Sequence, residues 1–132
     1  MIDTDAWLEV WSSPTAGPII ELCDPEVEVH AVTLGIEGRH YTGHDGVRQW
    51  MRDVRDRFHA RSEPKSIEVL SDDVVLMSGV LFMQNDLGGE DQQKFGMVIH
   101  LRDDKARWIG TFFTPEEAKT AWHAGVTGPR PG

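Results

Sequence analysis

Between Val74 and Met83 the chain reads Val-Val-Leu-Met-Ser-Gly-Val-Leu-Phe-Met, apolar on both alternating sets of positions. Successive side chains of a strand point to opposite faces, so a run of this kind needs cover on both sides. It belongs to a series of strand-like segments: Ser66 to Leu70, Val74 to Gln84, Lys94 to Arg102 and Ala106 to Phe113. These are separated by Ser71-Asp72-Asp73, Asn85 to Gln92 and Asp103-Asp104-Lys105. Connections this short favour antiparallel neighbours, because parallel pairing needs a long crossover. The expectation is an antiparallel sheet covered on both faces, or covered on one face and met by a partner on the other. A homodimer through the outer face of the sheet follows from the second option.

The helices that would supply the cover are also marked. Trp7, Leu8, Val10 and Trp11 form one apolar face over Asp3 to Ser13, with Asp3 or Thr4 as cap. Pro14 and Gly17-Pro18 break the chain, and Pro18 opens a single turn over Ile19 to Cys23. Val27, Val29 and Ala31 alternate with Glu28, His30 and Val32 as a strand, and Leu34 to Tyr41 reads as a loop. Thr42-Gly43-His44-Asp45 then resembles a capping box. Behind it, Val47, Trp50, Met51, Val54 and Phe58 recur at helical spacing, which predicts an amphipathic helix ending before Pro64. Thr114-Pro115-Glu116-Glu117 is a second capping box, with Ala118, Ala121 and Trp122 as the buried stripe and Gly125 as the stop. The sequence therefore predicts one α+β domain over residues 1–125 and a flexible tail over 126–132. A curved antiparallel sheet wrapped around helices leaves space in its concavity for a pocket.

Charge and cysteine content narrow the partners. The net charge of −9 argues against nucleic acid, whose phosphates require a basic face, and against anionic membranes. No apolar stretch approaches the ~20 residues of a membrane span. The single cysteine, Cys23, excludes an internal disulfide and a multi-cysteine metal site. The acidic start Met1-Ile2-Asp3-Thr4-Asp5 lacks the basic and apolar regions of a signal peptide, so the expected location is cytoplasmic. The expected partner is a hydrophobic small molecule, with no cofactor and no metal.

Tyr41-Thr42-Gly43-His44-Asp45-Gly46-Val47-Arg48-Gln49-Trp50 resembles the aromatic-x-Gly-x-x-Gly-apolar-Arg lead-in to the long helix of SnoaL-like proteins. These are polyketide-cyclase-like members of the nuclear-transport-factor-2-like superfamily. Asp24 to His30 before the first strand, Leu101-Arg102-Asp103-Asp104-Lys105 as the last hairpin, and Glu117-Ala118 in the terminal helix are similar in order and spacing, over residues 3–125. The resemblance implies a cone-shaped fold and cofactor-independent acid/base proton transfer on a hydrophobic small molecule, as in cyclases and isomerases. The alternative is a non-catalytic ligand-binding or dimerisation domain on the same scaffold.

By this resemblance His30 lies where ketosteroid isomerases carry their acid/base carboxylate, and an imidazole can take and return a proton near neutral pH. Tyr41 and His100 are the possible helpers. Trp11, Trp50, Met97 and Trp108 are the expected substrate-binding residues, and Glu28 shares a strand face with His30. The chain also departs from the family. The acid of SnoaL-like cyclases would fall near Gly110 or Thr111, neither of which ionises usefully. Val74 to Gln84 offers no carboxylate for an epoxide hydrolase, and Met97 stands where the acid of a ketosteroid isomerase oxyanion hole would fall. His40 and His44 are four apart, but Gly43 and the Thr42 cap place His40 outside the helix, which disfavours a metal site.

Overall fold

A computed structural model describes residues 2–31, 39–57 and 59–129. The elements run α1 (Thr4–Trp11), α2 (Ala16–Glu21), β1 (Cys23–Ala31), β2 (Arg39–Thr42), α3 (Gly43–Arg52), a π-helical turn (Asp53–Arg57), β3 (Ala60–Ser71), β4 (Val74–Gln84), β5 (Glu90–Arg102), β6 (Lys105–Phe112) and α4 (Pro115–His123). The six strands form one curved sheet in the order β2-β1-β6-β5-β4-β3. All neighbours are antiparallel except β1 and β6, which run parallel, with Val29 opposite Ile109. The sheet is thus mixed rather than wholly antiparallel. Between the parallel pair the chain travels through α3 and four strands, β2 to β5, which supplies the long crossover that a parallel pair needs.

Several local expectations need correction. The expected loop Leu34 to Tyr41 ends in a strand, β2, whose Tyr41 pairs with Val29 and His40 with His30; residues 34–38 lie outside the described residues. Phe58 also lies outside them. The segment ahead of Pro64 is strand from Ala60, and Pro64 is tolerated because β3 is an edge strand with a bulge between Pro64 and Ser66. Thr42 caps α3 without a side-chain hydrogen bond, and Asp45 pairs with Arg48 instead of closing a capping box. At α4 the cap does form, with Thr114 Oγ1 accepting from the Glu117 N–H at 3.1 Å. Asp103 and Asp104, at φ +53° and +61°, make the two-residue turn between β5 and β6, both in the left-handed region that a tight hairpin asks for.

Two apolar layers follow from the alternation. On the concave face Val27, Val29, Tyr41, Val75, Met77, Leu81, Phe95, Met97, Ile99 and Ile109 join Trp7, Trp11, Ile19, Ile20 and Val47 of the helices in one core. On the convex face Val74, Leu76, Val98 and Trp108 pack with Ala118, Leu70, Phe112 and Trp122 in a second. The cover of the outer face is therefore α4 of the same chain. Gly96 makes this possible: a Cβ there would stand 2.7 Å from Pro115 Cα and 3.1 Å from Ala118 Cβ. After Gly125 the chain continues across this face, where Thr127 Oγ1 lies 2.9 Å from His100 Nε2. No helix among the described residues is long and apolar enough to cross a membrane.

One ion pair ties the start of β1 to the end of β5. Arg102 donates to both carboxylate oxygens of Asp24, Nε at 3.0 Å and Nη2 at 2.7 Å, and Asp24 also accepts from the Glu26 N–H at 2.8 Å. The hydrogen bonds from Arg102 are the main reason the Asp24 carboxyl is held below the usual carboxylate range. A lowered folded-state pKa contributes stability above the ordinary carboxylate pKa and loses it as pH falls through the folded value. Asp24→Asn is therefore expected to lower stability at pH 7 in urea titrations, and the gap from the unsubstituted protein should close in acid. Gly96→Ala, which pushes a methyl into the backbone of α4, is expected to cost about 1–3 kcal/mol in the same titrations.

Candidate functional site

The concave core does not fill the space enclosed by the sheet. A cavity of about 650 Å³ remains between α1, α3 and strands β3 to β6. Its deep wall is apolar: Ile19, Met77, Leu81, Phe95 and Met97, with Trp11, Trp50, Met51 and Val54 from the helices. Trp11 and Trp50 meet edge to face at 6.2 Å. Thr111, 3 % exposed, brings the hydroxyl of this wall. Trp11 is 5 % exposed, and its indole Nε1 is, among the described residues, the buried side-chain polar atom without a hydrogen-bond partner.

The ionisable lining residues, Arg55, Arg61, Glu63 and Lys65, have side chains 44–60 % exposed and so belong to the rim. Each rim cation is matched. Arg55 Nε lies 3.0 Å from Asp56, Arg61 reaches Glu63 at 3.4 Å and Glu90 at 3.5 Å, and Lys65 reaches Glu63 at 3.5 Å. Arg61 also stacks on Phe82, its guanidinium carbon 4.2 Å from the ring centre.

Of the residues singled out from the sequence, Trp11, Trp50 and Met97 line this cavity. His30, His100 and Trp108 do not. Val29 and Ala31 take the inner face of β1, so His30 between them faces outward, stacked on Trp108 at 5.2 Å and beside His40 at 4.2 Å. Its Nε2 lies 3.8 Å from Glu28, whose carboxylate also accepts from Arg107 at 2.9 Å. His100 lies on the same outer face, edge-on to Trp108 at 5.4 Å and to Trp122 at 5.8 Å. Burial there pushes its pKa below the ordinary imidazole value, against a weaker opposing pull from Asp73. Trp108 belongs to the outer core, its ring over Gly110: a Cβ on that glycine would stand 2.4 Å from the indole. The inward position next along β6 belongs to Thr111, so no ionisable side chain stands where the resemblance led us to look for a final-strand acid.

Tyr41 does point inward, but its phenol is engaged in the core. It donates to Asp53 Oδ2 at 2.6 Å, and Gln49 donates to Asp53 Oδ1 at 2.8 Å. Asp53, 9 % exposed, is the ionisable residue that reading the sequence missed. It follows Arg52 at the start of the π-helical turn, beside Arg55 and Asp56 that face solvent, and nothing in the spacing sets it apart. His44 is held by the Cys23 carbonyl at 3.0 Å while His40 lies on β2, so the two do not converge. Among the described residues no three His, Cys, Asp or Glu side chains are grouped to hold a metal ion. Cys23 is buried at the start of β1, and desolvation pushes its thiol up to about 12, which leaves it protonated and unreactive at neutral pH.

Comparison with solved structures places this architecture. TerC, co-crystallised with polyporic acid, superposes with a TM-score of 0.69 at 20% identity, over 92% of this chain and 95% of that one. The chain has the nuclear-transport-factor-2-like fold. A protein of ketosteroid-isomerase-like fold from Catenulispora acidiphila, in complex with trimethylamine, gives 0.67 at 12% identity over 83% of each chain. A protein from Acidithiobacillus ferrooxidans, provisionally assigned as a polyketide cyclase, gives 0.63 at 14% identity, over 89% of this chain and 91% of that one. At these identities the likeness establishes the fold, and one fold hosts many unrelated functions. No protein-family profile matches the chain, and no curated protein matches it.

The outward, partly desolvated setting of His100 has a direct readout. In an NMR titration of the imidazole protons, His100 is expected to titrate below the ordinary histidine value. Thr127→Val, which removes the hydroxyl beside Nε2, is expected to move its midpoint.

Proposed function

We propose that this chain is a cytoplasmic binding protein for a hydrophobic small molecule held in the concave cavity. The observation that carries this reading is the deep wall. It is lined by apolar and aromatic side chains, and every ionisable lining residue stands at the rim. Proton transfer needs a titratable group within hydrogen-bond reach of the reacting atom. His30 and His100, which the sequence suggested for that task, are on the other side of the sheet. Three methionines in the lining, Met51, Met77 and Met97, suit a ligand of aromatic or irregular outline, because thioether side chains adapt to shape and contact ring edges favourably.

A second reading, acid/base catalysis without a cofactor, is supported by one observation. The Tyr41–Asp53 pair is buried, short and next in sequence to the wall residue Val54. In that reading Tyr41→Phe abolishes turnover of a ligand that the protein still binds. A homodimer through the sheet loses its first argument, because α4 already covers Val74, Leu76 and Val98. What favours it now is the half-exposed strip formed by Val80 and Phe82, and a single-chain sedimentation coefficient at about 20 μM, well above a ~1 μM Kd, would end that proposal.

The uncharged fluorescent probe N-phenyl-1-naphthylamine tests the binding function. It is expected to bind saturably, one per chain, with quenching of tryptophan emission. Ala60 lines the cavity on the edge strand, and Ala60→Trp plugs the space without burying a charge. Probe affinity should fall at least about 10-fold in that variant, the loss of roughly 1.4 kcal/mol of contact. His30→Gln and His100→Gln, on the outer face, should leave it unchanged.

A further inference from the structure

Charge is distributed unevenly between the depth and the mouth of the cavity. Ile19, Met77, Leu81, Phe95 and Met97 form a floor that offers no charge, so an ionised end of a ligand has to sit at the mouth. Three cations line that mouth, Arg55 from the π-helical turn and Arg61 and Lys65 from β3, against one carboxylate, Glu63. Glu63 is shared: one oxygen faces Arg61 at 3.4 Å and the other Lys65 at 3.5 Å. The acids that complete the matching, Asp56 and Glu90, do not line the cavity. Their contacts leave donors over. Asp56 takes only Nε of Arg55, at 3.0 Å, and Lys65 uses one ammonium proton at the outer limit of a hydrogen bond. Exposed pairs of this kind hold weakly and exchange partners readily. The chain as a whole carries a net charge of −9, so a lining rich in cations runs against its average.

From this asymmetry we infer that the ligand is an apolar carboxylic acid, bound as its anion with the hydrocarbon body in the cavity and the carboxylate at the mouth. That ligand class rests on the binding function proposed above and adds the charge and the orientation of the ligand. Arg55 and Lys65 are the cations with donors to give, and both side chains are more than half exposed, so the head group keeps much of its water. A guanidinium meets a carboxylate edge to edge and an ammonium meets it as a point charge, so either can serve it while keeping its own acid. Arg61 is less adaptable, because two acids and the ring of Phe82 already hold its guanidinium. A cationic head would meet these three residues with only Glu63, already shared, to receive it.

Biphenyl-4-carboxylate, biphenyl-4-carboxamide and biphenyl-4-carboxamidine share one outline and carry a negative, a neutral and a positive head near neutral pH. Each can be titrated against bound N-phenyl-1-naphthylamine. Attraction to the molecule as a whole favours the amidine, given the net charge of −9. With the cations of the mouth as partners the order reverses. The carboxylate is expected to displace the naphthylamine at least about 5-fold more tightly than the amide at low salt, and the amidine to be weakest. That lead should shrink at about 0.5 M salt, where screening acts within a few ångströms. Combining Arg55→Gln with Lys65→Gln should bring the ratio of acid to amide affinity to about 1. Lys119→Gln, which removes a charge from α4 on the outer face, should leave the ratio as it was. An amide that binds as tightly as the acid, or a lead that survives the double substitution, overturns the inference and leaves the pocket function standing. If neither these compounds nor the naphthylamine binds, the pocket function falls as well.

Discussion

Strands β4 and β5 carry apolar side chains on both faces, and taking both faces out of water decides where every helix must go. Each fully buried valine, leucine or methionine contributes about 1.5–3 kcal/mol relative to exposure. Val75, Met77 and Ile99 collect this on the concave side, Val74, Leu76 and Val98 on the convex side. The two sides are solved differently. On the convex side α4 lies close, its first turn almost touching the backbone at Gly96, and Trp108, Phe112 and Trp122 fill what is left. On the concave side α1, α2 and α3 bridge a curved surface and stand away from its floor.

That difference in fit is the origin of the cavity. A straight helix laid across a curved sheet contacts its rim more fully than its middle, and large side chains can only partly make up the gap. The indoles of Trp11 and Trp50 reduce it, and Met77 and Met97 line the floor, yet about 650 Å³ remains.

Much of this was readable from the residues. The apolar spacing of Val47, Trp50, Met51 and Val54 marked the long helix, and the Thr114 cap with Pro115 marked the start of the last one. The alternation in β1 also held the correct orientation of His30: if Val27, Val29 and Ala31 face the helices, the residue between the last two faces away. The family resemblance, which works from position rather than parity, placed it inside. The partner of β1 was not readable, because nothing in a strand of this length distinguishes a neighbour about 80 residues later, as its ties to Arg102 and Lys105 show, from an adjacent hairpin. Nor was the side taken by α4, since an amphipathic helix suits either face. Gly96 was its only local trace, and a glycine inside a strand has several other uses. Tyr41 and Asp53 meet through that same unreadable register, which lays β2 against β1 and brings Tyr41 under α3.

The parallel pairing of β1 with β6 also says something about how the molecule comes together. Asp24 and Arg102 are 78 residues apart, and Lys105 reaches the carbonyl of Glu21 across 84. β3 to β6, by contrast, are joined by successive tight turns and can zip up from local contacts. Loop closure over such a separation must precede the contacts that reward it, which raises contact order and slows folding. On a ribosome the first fifth of the chain is made long before its sheet partner exists. Trp7, Trp11, Ile19 and Val27 therefore spend that interval without their native cover.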